Sequence, residues 1–229
     1  MDDFWPHLLT EISSLRTNPM ENHLIVGIDG VDGSGKTQFA RKLAERFREL
    51  PTPINPYVIS IDDFHNLRSI RHRQGRDSSV GYFEDSFDYE SLINQVLEPL
   101  KNSAGERVAI VPKAHDLITD LKIQCDPMPI ESHSLVILEG IFLQRDEFIN
   151  YLDLKIFLDV PFHESVRRMS VRDGSINDPD DISLKRYIDG QRFYFEKCSP
   201  WLRADVIVDN TDFDAPFIVS AGRSKDRHA

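Results

Sequence analysis

The chain has 229 residues, 40% of them apolar, and 38 acidic side chains against 27 basic ones give a formal charge of −11. This length suits a single α/β domain over residues 1–229, and the acidic excess argues against nucleic acid as a partner, so an anionic ligand has to be held by a few local cations. The N-terminus is acidic where a signal peptide would be basic, no apolar run spans a bilayer, and Cys125 and Cys198 match no metal spacing, which together predict a cytoplasmic protein with reduced thiols and no membrane contact.

In chain order, residues 1–19 are expected to form an N-terminal helix ahead of a core over about 20–212. The apolar run Leu24 to Ile28 reads as a buried strand, and Phe39, Leu43, Phe47 and Leu50 recur at the three- and four-residue steps of a helix. Between them stands Gly30-Val31-Asp32-Gly33-Ser34-Gly35-Lys36-Thr37, which satisfies G-x-x-x-x-G-K-[ST]. Glycines let the backbone curl so that successive amides face phosphate oxygens, and the following helix adds its positive end. Gly30, Asp32, Gly33, Ser34, Gly35, Lys36 and Thr37 are thus the expected nucleotide-binding residues, with Lys36 reaching the outer phosphates and the Thr37 hydroxyl a ligand for Mg²⁺.

A second strand, Tyr57 to Ile61, delivers Asp62 and Asp63 to its carboxyl end. In a parallel sheet that is where ligands bind, and Asp62 is preferred there as the base for an acceptor hydroxyl and as a metal partner. The polar stretch from His65 to Ser86 reads as a long loop, and Leu92, Val96 and Leu100 as a helix. Leu135 to Leu138 is a third strand ending at Glu139, an acid at the tip of an apolar strand and a candidate Mg²⁺ partner. Leu154 to Leu158 is a fourth strand, followed by a helix opened by Pro161 and closed near Gly174 that carries Arg167, Arg168 and Arg172. Arg168 and Arg172, four apart, share a face and could close over phosphates as a lid. Val206 to Val208 is the fifth strand, 213–229 is a C-terminal tail, and the polar stretch Arg223 to Ala229 is expected to fray. Strands alternating with helices predict a P-loop NTPase fold: a five-stranded, mostly parallel sheet with helices on both faces and an arginine-bearing lid.

Gly30 to Thr37, Ser60-Ile61-Asp62-Asp63-Phe64, Leu138-Glu139-Gly140-Ile141, the Arg167-Arg168 and Arg172-Asp173 pairs, and Ala204 to Asn210 occur in one order along the chain. In this the sequence resembles the uridine kinase and phosphoribulokinase family of P-loop kinases. The resemblance implies ATP and Mg²⁺ as cosubstrates, Asp62 as the catalytic base, Thr37, Asp62 and Glu139 around the metal, and Lys36, Arg168 and Arg172 at the transferred phosphoryl group. It also implies that Asn210 lies near the adenine. The acceptor pocket departs from the family pattern: Phe64-His65 stands where Phe-Tyr is usual, Ser175-Ile176-Asn177-Asp178 follows the lid helix in place of Arg-Gly-Arg, and Lys113-Ala114-His115-Asp116 is a loose echo of the base-flanking residues. Gly81-Tyr82-Phe83 and Gly190-Gln191-Arg192 are shared with bacterial uridine kinase-like proteins. His65, Tyr82 and His115 are the expected acceptor-pocket residues.

The expected activity is transfer of the γ-phosphoryl group of ATP to a hydroxyl of a small molecule. A nucleoside leads, and pantothenate, a sugar or a vitamin precursor stay open, as do a homo-oligomer and a nucleotide-dependent switch or regulatory ATPase. No Asn-Lys-x-Asp motif favours guanine, and Gly-x-Gly-x-x-Gly spacing for a dinucleotide is missing.

Overall fold

The computed structural model describes residues 4–16 and 22–228, with side chains described as far as residue 224. The elements run α1 (Phe4–Ser14), β1 (Leu24–Gly30), α2 (Lys36–Arg48), β2 (Tyr57–Ser60), α3 (Arg68–Arg71), α4 (Ser79–Asp85), α5 (Tyr89–Leu92), α6 (Glu98–Asn102), β3 (Val108–Ile110), β4 (His115–Asp116), β5 (Leu121–Lys122) and β6 (Met128–Ile130). They continue with β7 (Leu135–Glu139), β8 (Leu154–Asp159), α7 (Phe162–Asp173), α8 (Lys185–Cys198), α9 (Pro200–Arg203), β9 (Val206–Asp209), β10 (Phe217–Ile218) and α10 (Ala221–His228).

The main sheet has the order β10-β9-β8-β1-β7-β2. Its five expected strands are parallel, and β10 adds a short antiparallel sixth beside β9. β1 and β7 are buried along their whole length, as strands covered on both faces must be. Alternation then divides their side chains: Leu24, Val26 and Ile28 face one layer with Leu135 and Ile137, whereas Ile25 faces the other with Val136 and Leu138. The first layer is closed by α1 and α2 through Leu8, Ile12, Phe39, Leu43 and Phe47. The second is closed by Leu92, Val96, Leu100, Tyr194 and Trp201. Each such side chain, fully buried, contributes about 1.5–3 kcal/mol.

Two expectations need correcting. The stretch from His65 to Ser86 is not an irregular loop, since it holds α3 and α4. Ser78 caps α4 by accepting from the Gly81 amide at 2.9 Å, and Gly81, Tyr82 and Phe83 bury against the rest of the molecule. The C-terminal tail over 213–229, for which no element was expected, holds two: β10 pairs with β9, and α10 runs through Ala221–His228. The helix expected around Leu92 to Leu100 is continuous but widens into a π-type turn over Ile93–Leu97. Of the expected N-terminal helix over 1–19, residues 1–3 and 17–19 lie outside the described residues, as does Ala229 of the tail. Among the described residues no helix is long and apolar enough to cross a membrane.

Candidate functional site

Parallel strands deliver their carboxyl ends to one edge of the sheet, and the loops after β1, β2 and β7 meet there around a cavity of about 580 Å³. Asp32, Gly33, Gly35, Lys36 and Thr37 line it from the loop after β1, Asp62 from the turn after β2 and Glu139 from the end of β7. α7 supplies Arg167, Arg168 and Arg172 to the same wall. With Lys36 and Arg41 that makes five cationic side chains against three carboxylates, a local positive excess in an acidic molecule. A larger apolar groove of about 910 Å³ lies between α1 and residues 212–218, but it has none of the glycine-loop residues, so the chemistry belongs to the smaller cavity.

The glycine-rich loop turns into α2 at Gly35, whose φ of 91° is left-handed and where a Cβ would lie 2.3 Å from the Phe213 ring. Lys36 Nζ donates to the Val31 carbonyl at 2.8 Å, which curls the side chain over its own loop. The Thr37 hydroxyl donates to Glu139 Oε1 at 3.2 Å. Ser60 also bonds Glu139, and burial pushes that carboxyl above its ordinary range. Among the described residues no group of three or more His, Cys, Asp or Glu could hold a metal alone. A hydroxyl and two carboxylates lining one cavity do suit Mg²⁺, which takes few protein oxygens and completes its shell with phosphate and water.

Asp62 is the second residue of a short 3₁₀ turn over Ile61–Phe64, its amide donating to Ser60 Oγ at 3.3 Å, and its carboxylate is exposed to the cavity. Its neighbour Asp63 pairs instead with Lys113 at 2.9 Å. His65 does not line the cavity but stands behind Asp62, with Nδ1 donating to the Asp62 carbonyl at 2.7 Å and the ring 4.5 Å from that of Phe87. Burial lowers its pKa and favours the neutral ring. His115 is 2% exposed and reaches Asp120 at 3.3 Å, while its Nδ1 has no partner among the described residues. His65 and His115 are close enough to interact electrostatically, so the two expected acceptor residues form one cluster beyond Asp62.

The two lid arginines are not equivalent. Arg168 is 8% exposed, pairs with Glu164 at 2.9 Å, donates to the carbonyls of Ser34, Asn210 and Thr211 at 3.2, 2.8 and 2.9 Å, and stacks 3.7 Å from the Phe213 ring centre. It ties α7 to the glycine loop and to the chain after β9. Arg172, 69% exposed and paired among the described residues only with its neighbour Asp173, faces the cavity from a side chain with room to swing. Asn210 is buried and donates to the Ser34 carbonyl at 2.8 Å, bracing the loop from the side opposite Asp62.

Asp32 differs from the rest of its loop. Its amide, expected to face phosphate, donates to Gln191 Oε1 at 2.7 Å, and its carboxylate accepts from the Tyr82 hydroxyl at 2.6 Å. Gln191, Glu164 and Phe213 were not singled out by sequence reasoning as site residues. Gln191 carried a signal: it shares one helical face with Tyr187 and Tyr194, a polar residue in an aromatic stripe. Three residues before Asp32, Asp29 lies buried beneath the loop, where Tyr194 donates to it at 2.5 Å and the Gly30 amide at 2.8 Å, and burial pushes its pKa up to about 6.

A phosphate-cradling loop between strand and helix, carboxylates at two neighbouring strand ends and arginines on the facing helix define a P-loop kinase. The family model described as phosphoribulokinase / uridine kinase matches residues 25–175, and the chain belongs to that family. It is a phosphotransferase with a hydroxyl acceptor. Curated relatives include a uridine kinase of Chlamydia pneumoniae, 27% identical over 189 residues and covering 81% of each chain, and one of Ureaplasma parvum serovar 3, 29% identical over 151 residues and covering 66% of this chain and 69% of the relative. Among solved structures, a protein of Bacillus stearothermophilus described as a possible uridine kinase aligns with a TM-score of 0.66 at 27% identity, over 89% of this chain and 96% of that one.

Proposed function

We propose that the chain transfers the γ-phosphoryl group of ATP to a hydroxyl of a nucleoside, with Asp62 as the catalytic base. Support for the base comes from one observation: Asp62 presents its carboxylate to the same cavity as Lys36 and Thr37, from the neighbouring side of the sheet edge. The amides of Gly33, Ser34, Gly35 and Lys36 and the Lys36 ammonium would hold the triphosphate, and Asn210 would brace that loop beside the adenine. Thr37, Asp62 and Glu139 would hold Mg²⁺, which when bound neutralises charge on the phosphates. Asp62 takes the proton as the acceptor oxygen bonds to phosphorus; the bond from phosphorus to the bridging oxygen breaks and ADP leaves. Arg172 swings onto the transferring group, and Arg168 keeps α7 docked on the loop so that this swing stays short.

On the acceptor side His65 and His115 stand behind Asp62 and Tyr82 behind Asp32, and the nucleoside reading draws on the relatives called uridine kinases. A coupled ADP-release assay with uridine, cytidine, pantothenate and ribose tests both steps. ADP should appear only with acceptor present, fastest with a nucleoside, and Asp62→Asn should lower kcat by about 10²–10⁴. ADP release independent of any acceptor would return the switch or regulatory ATPase, and full activity in Asp62→Asn would remove that residue as base.

A further inference from the structure

A carboxylate inside a phosphate-binding loop is electrostatically misplaced if it faces the phosphates, because like charges in a partly dry cavity repel strongly. Asp32 avoids this by its direction. Gln191 grips the residue twice, accepting from the amide at 2.7 Å and reaching Oδ2 with Nε2 at 3.4 Å, while Tyr82 donates to Oδ2 at 2.6 Å. Tyr82 lies on α4 and Gln191 on α8, so the side chain is held from the side of these two helices.

Tyr82 is held firmly in turn. Its ring is 8% exposed and meets Phe142 and Tyr187 edge to face at 5.4 and 5.0 Å, with the Arg186 guanidinium 5.6 Å away. α8 comes this close because residue 190 is glycine: a Cβ there would lie 2.6 Å from the Tyr82 ring and 2.9 Å from the Ser79 carbonyl. Both donors act on Oδ2, and Oδ1 receives no hydrogen bond from any described residue although Asp32 lines the cavity. Asp32 and Asp62 line the same cavity, and the fields of both reach the Tyr82 phenol, so the two carboxylates border one space. A phosphate would be repelled from that space, whereas a neutral hydroxyl-bearing molecule can donate to both.

We propose that Asp32 binds a second hydroxyl of the acceptor, so that the acceptor is polyhydroxylated, with one hydroxyl on Asp62 and another on Asp32 Oδ1. Asp32 is then a specificity-determining residue, and Tyr82 and Gln191 position it. The inference rests on the kinase reading but not on the acceptor being a nucleoside, since a sugar or another polyol has the same chemistry.

The experiment compares acceptor pairs that differ in the second hydroxyl: uridine against 2′,3′-dideoxyuridine, and ribose and pantothenate against their deoxy analogues. In the native protein the deoxy partner should have the higher KM. Asp32→Asn should raise the polyol KM by about 10–100-fold, leave the deoxy KM and the KM for MgATP within about twofold, and change kcat by less than about threefold. Tyr82→Phe, which leaves Oδ2 only the longer Gln191 contact without removing the carboxylate, should give about 3–10-fold in polyol KM alone, and remains readable if Asp32→Asn folds poorly. Equal losses with both members of a pair, or a shift in MgATP KM or Mg²⁺ dependence as large as that for acceptor, would overturn the proposal by returning Asp32 to the nucleotide. A panel in which no polyol is phosphorylated would overturn it as well. If nucleosides are inert while ribose or pantothenate reacts with the hydroxyl dependence described, the nucleoside reading falls and the Asp32 proposal stands.

Discussion

Two arginines four residues apart on α7 look interchangeable until their contacts are compared. Arg168 spends its donors on Glu164, which Arg167 also holds, and on the carbonyls of Ser34, Asn210 and Thr211, so removing it leaves the Asn210 and Thr211 carbonyls without this donor and α7 untied from the loop. Arg168→Ala should therefore lower the unfolding free energy by about 1–3 kcal/mol, read by chemical denaturation, with activity falling alongside. Arg172 has little to lose structurally at 69% exposure. Arg172→Ala should stay within about 0.5 kcal/mol of the parent in stability while kcat drops about 10²-fold with the KM for ATP nearly unchanged. Equal loss of kcat and ATP affinity in that variant would mean Arg172 binds the ground state.

Asp29 poses a different question at the same scale, because a carboxyl that titrates near 6 when folded and near 3.8 when unfolded is a liability at neutral pH. Between those values the native state holds more protons than the unfolded state, so the stability that Asp29 contributes is complete below pH 4 and lost as pH rises through 6. The loss is about 3 kcal/mol for a shift of this size. Asp29→Asn, which cannot ionise, should gain on the parent by about that amount between pH 4 and pH 7 in paired denaturation curves. A constant difference across the range would mean that the Tyr194 and Gly30 bonds already compensate the charge.

Among the elements, the contact between α4 and α8 ties the acceptor side to the glycine loop. Gly190→Ala drives a methyl against the Tyr82 ring and the Ser79 carbonyl, and the carbonyl cannot rotate aside as a long side chain could. We expect about 1–3 kcal/mol of destabilisation and a raised acceptor KM with MgATP KM preserved, checked by thermal melts and steady-state kinetics. This contact also marks where reading the sequence stops. The glycine loop, Asp62 and Glu139 were legible because each is a short pattern fixed to the end of an apolar strand. α4 was not, since its Ser, Gly and charge content looks like loop and its helix is held by packing on α8, more than a hundred residues on. The pairing of Asp32 with Tyr82 and Gln191 is likewise a product of tertiary geometry, and no local spacing announces it. β10 was missed for the same reason, since a strand this short exists only because β9 offers it an edge.

The whole molecule carries −11 yet gathers Lys36, Arg41, Arg167, Arg168 and Arg172 at one edge, so the MgATP binding proposed above would rest on a focused local field working against the global one. Such a site gains its stability by mass action when filled. With MgATP at about 100 times its Kd, ligand that binds only the folded chain adds about 2.7 kcal/mol, which for a chain this long raises Tm by about 5–10 °C. Removing Mg²⁺ with EDTA at the same ATP concentration should shrink the shift, because the phosphate charge then meets Asp62 and Glu139 without a cation between them. Lys36→Ala should remove most of it in either condition, since the ammonium is the charge placed to meet the outer phosphates. A shift of the same size with and without EDTA would place the triphosphate away from the two carboxylates, and the catalytic arrangement argued for Asp62 would have to be abandoned.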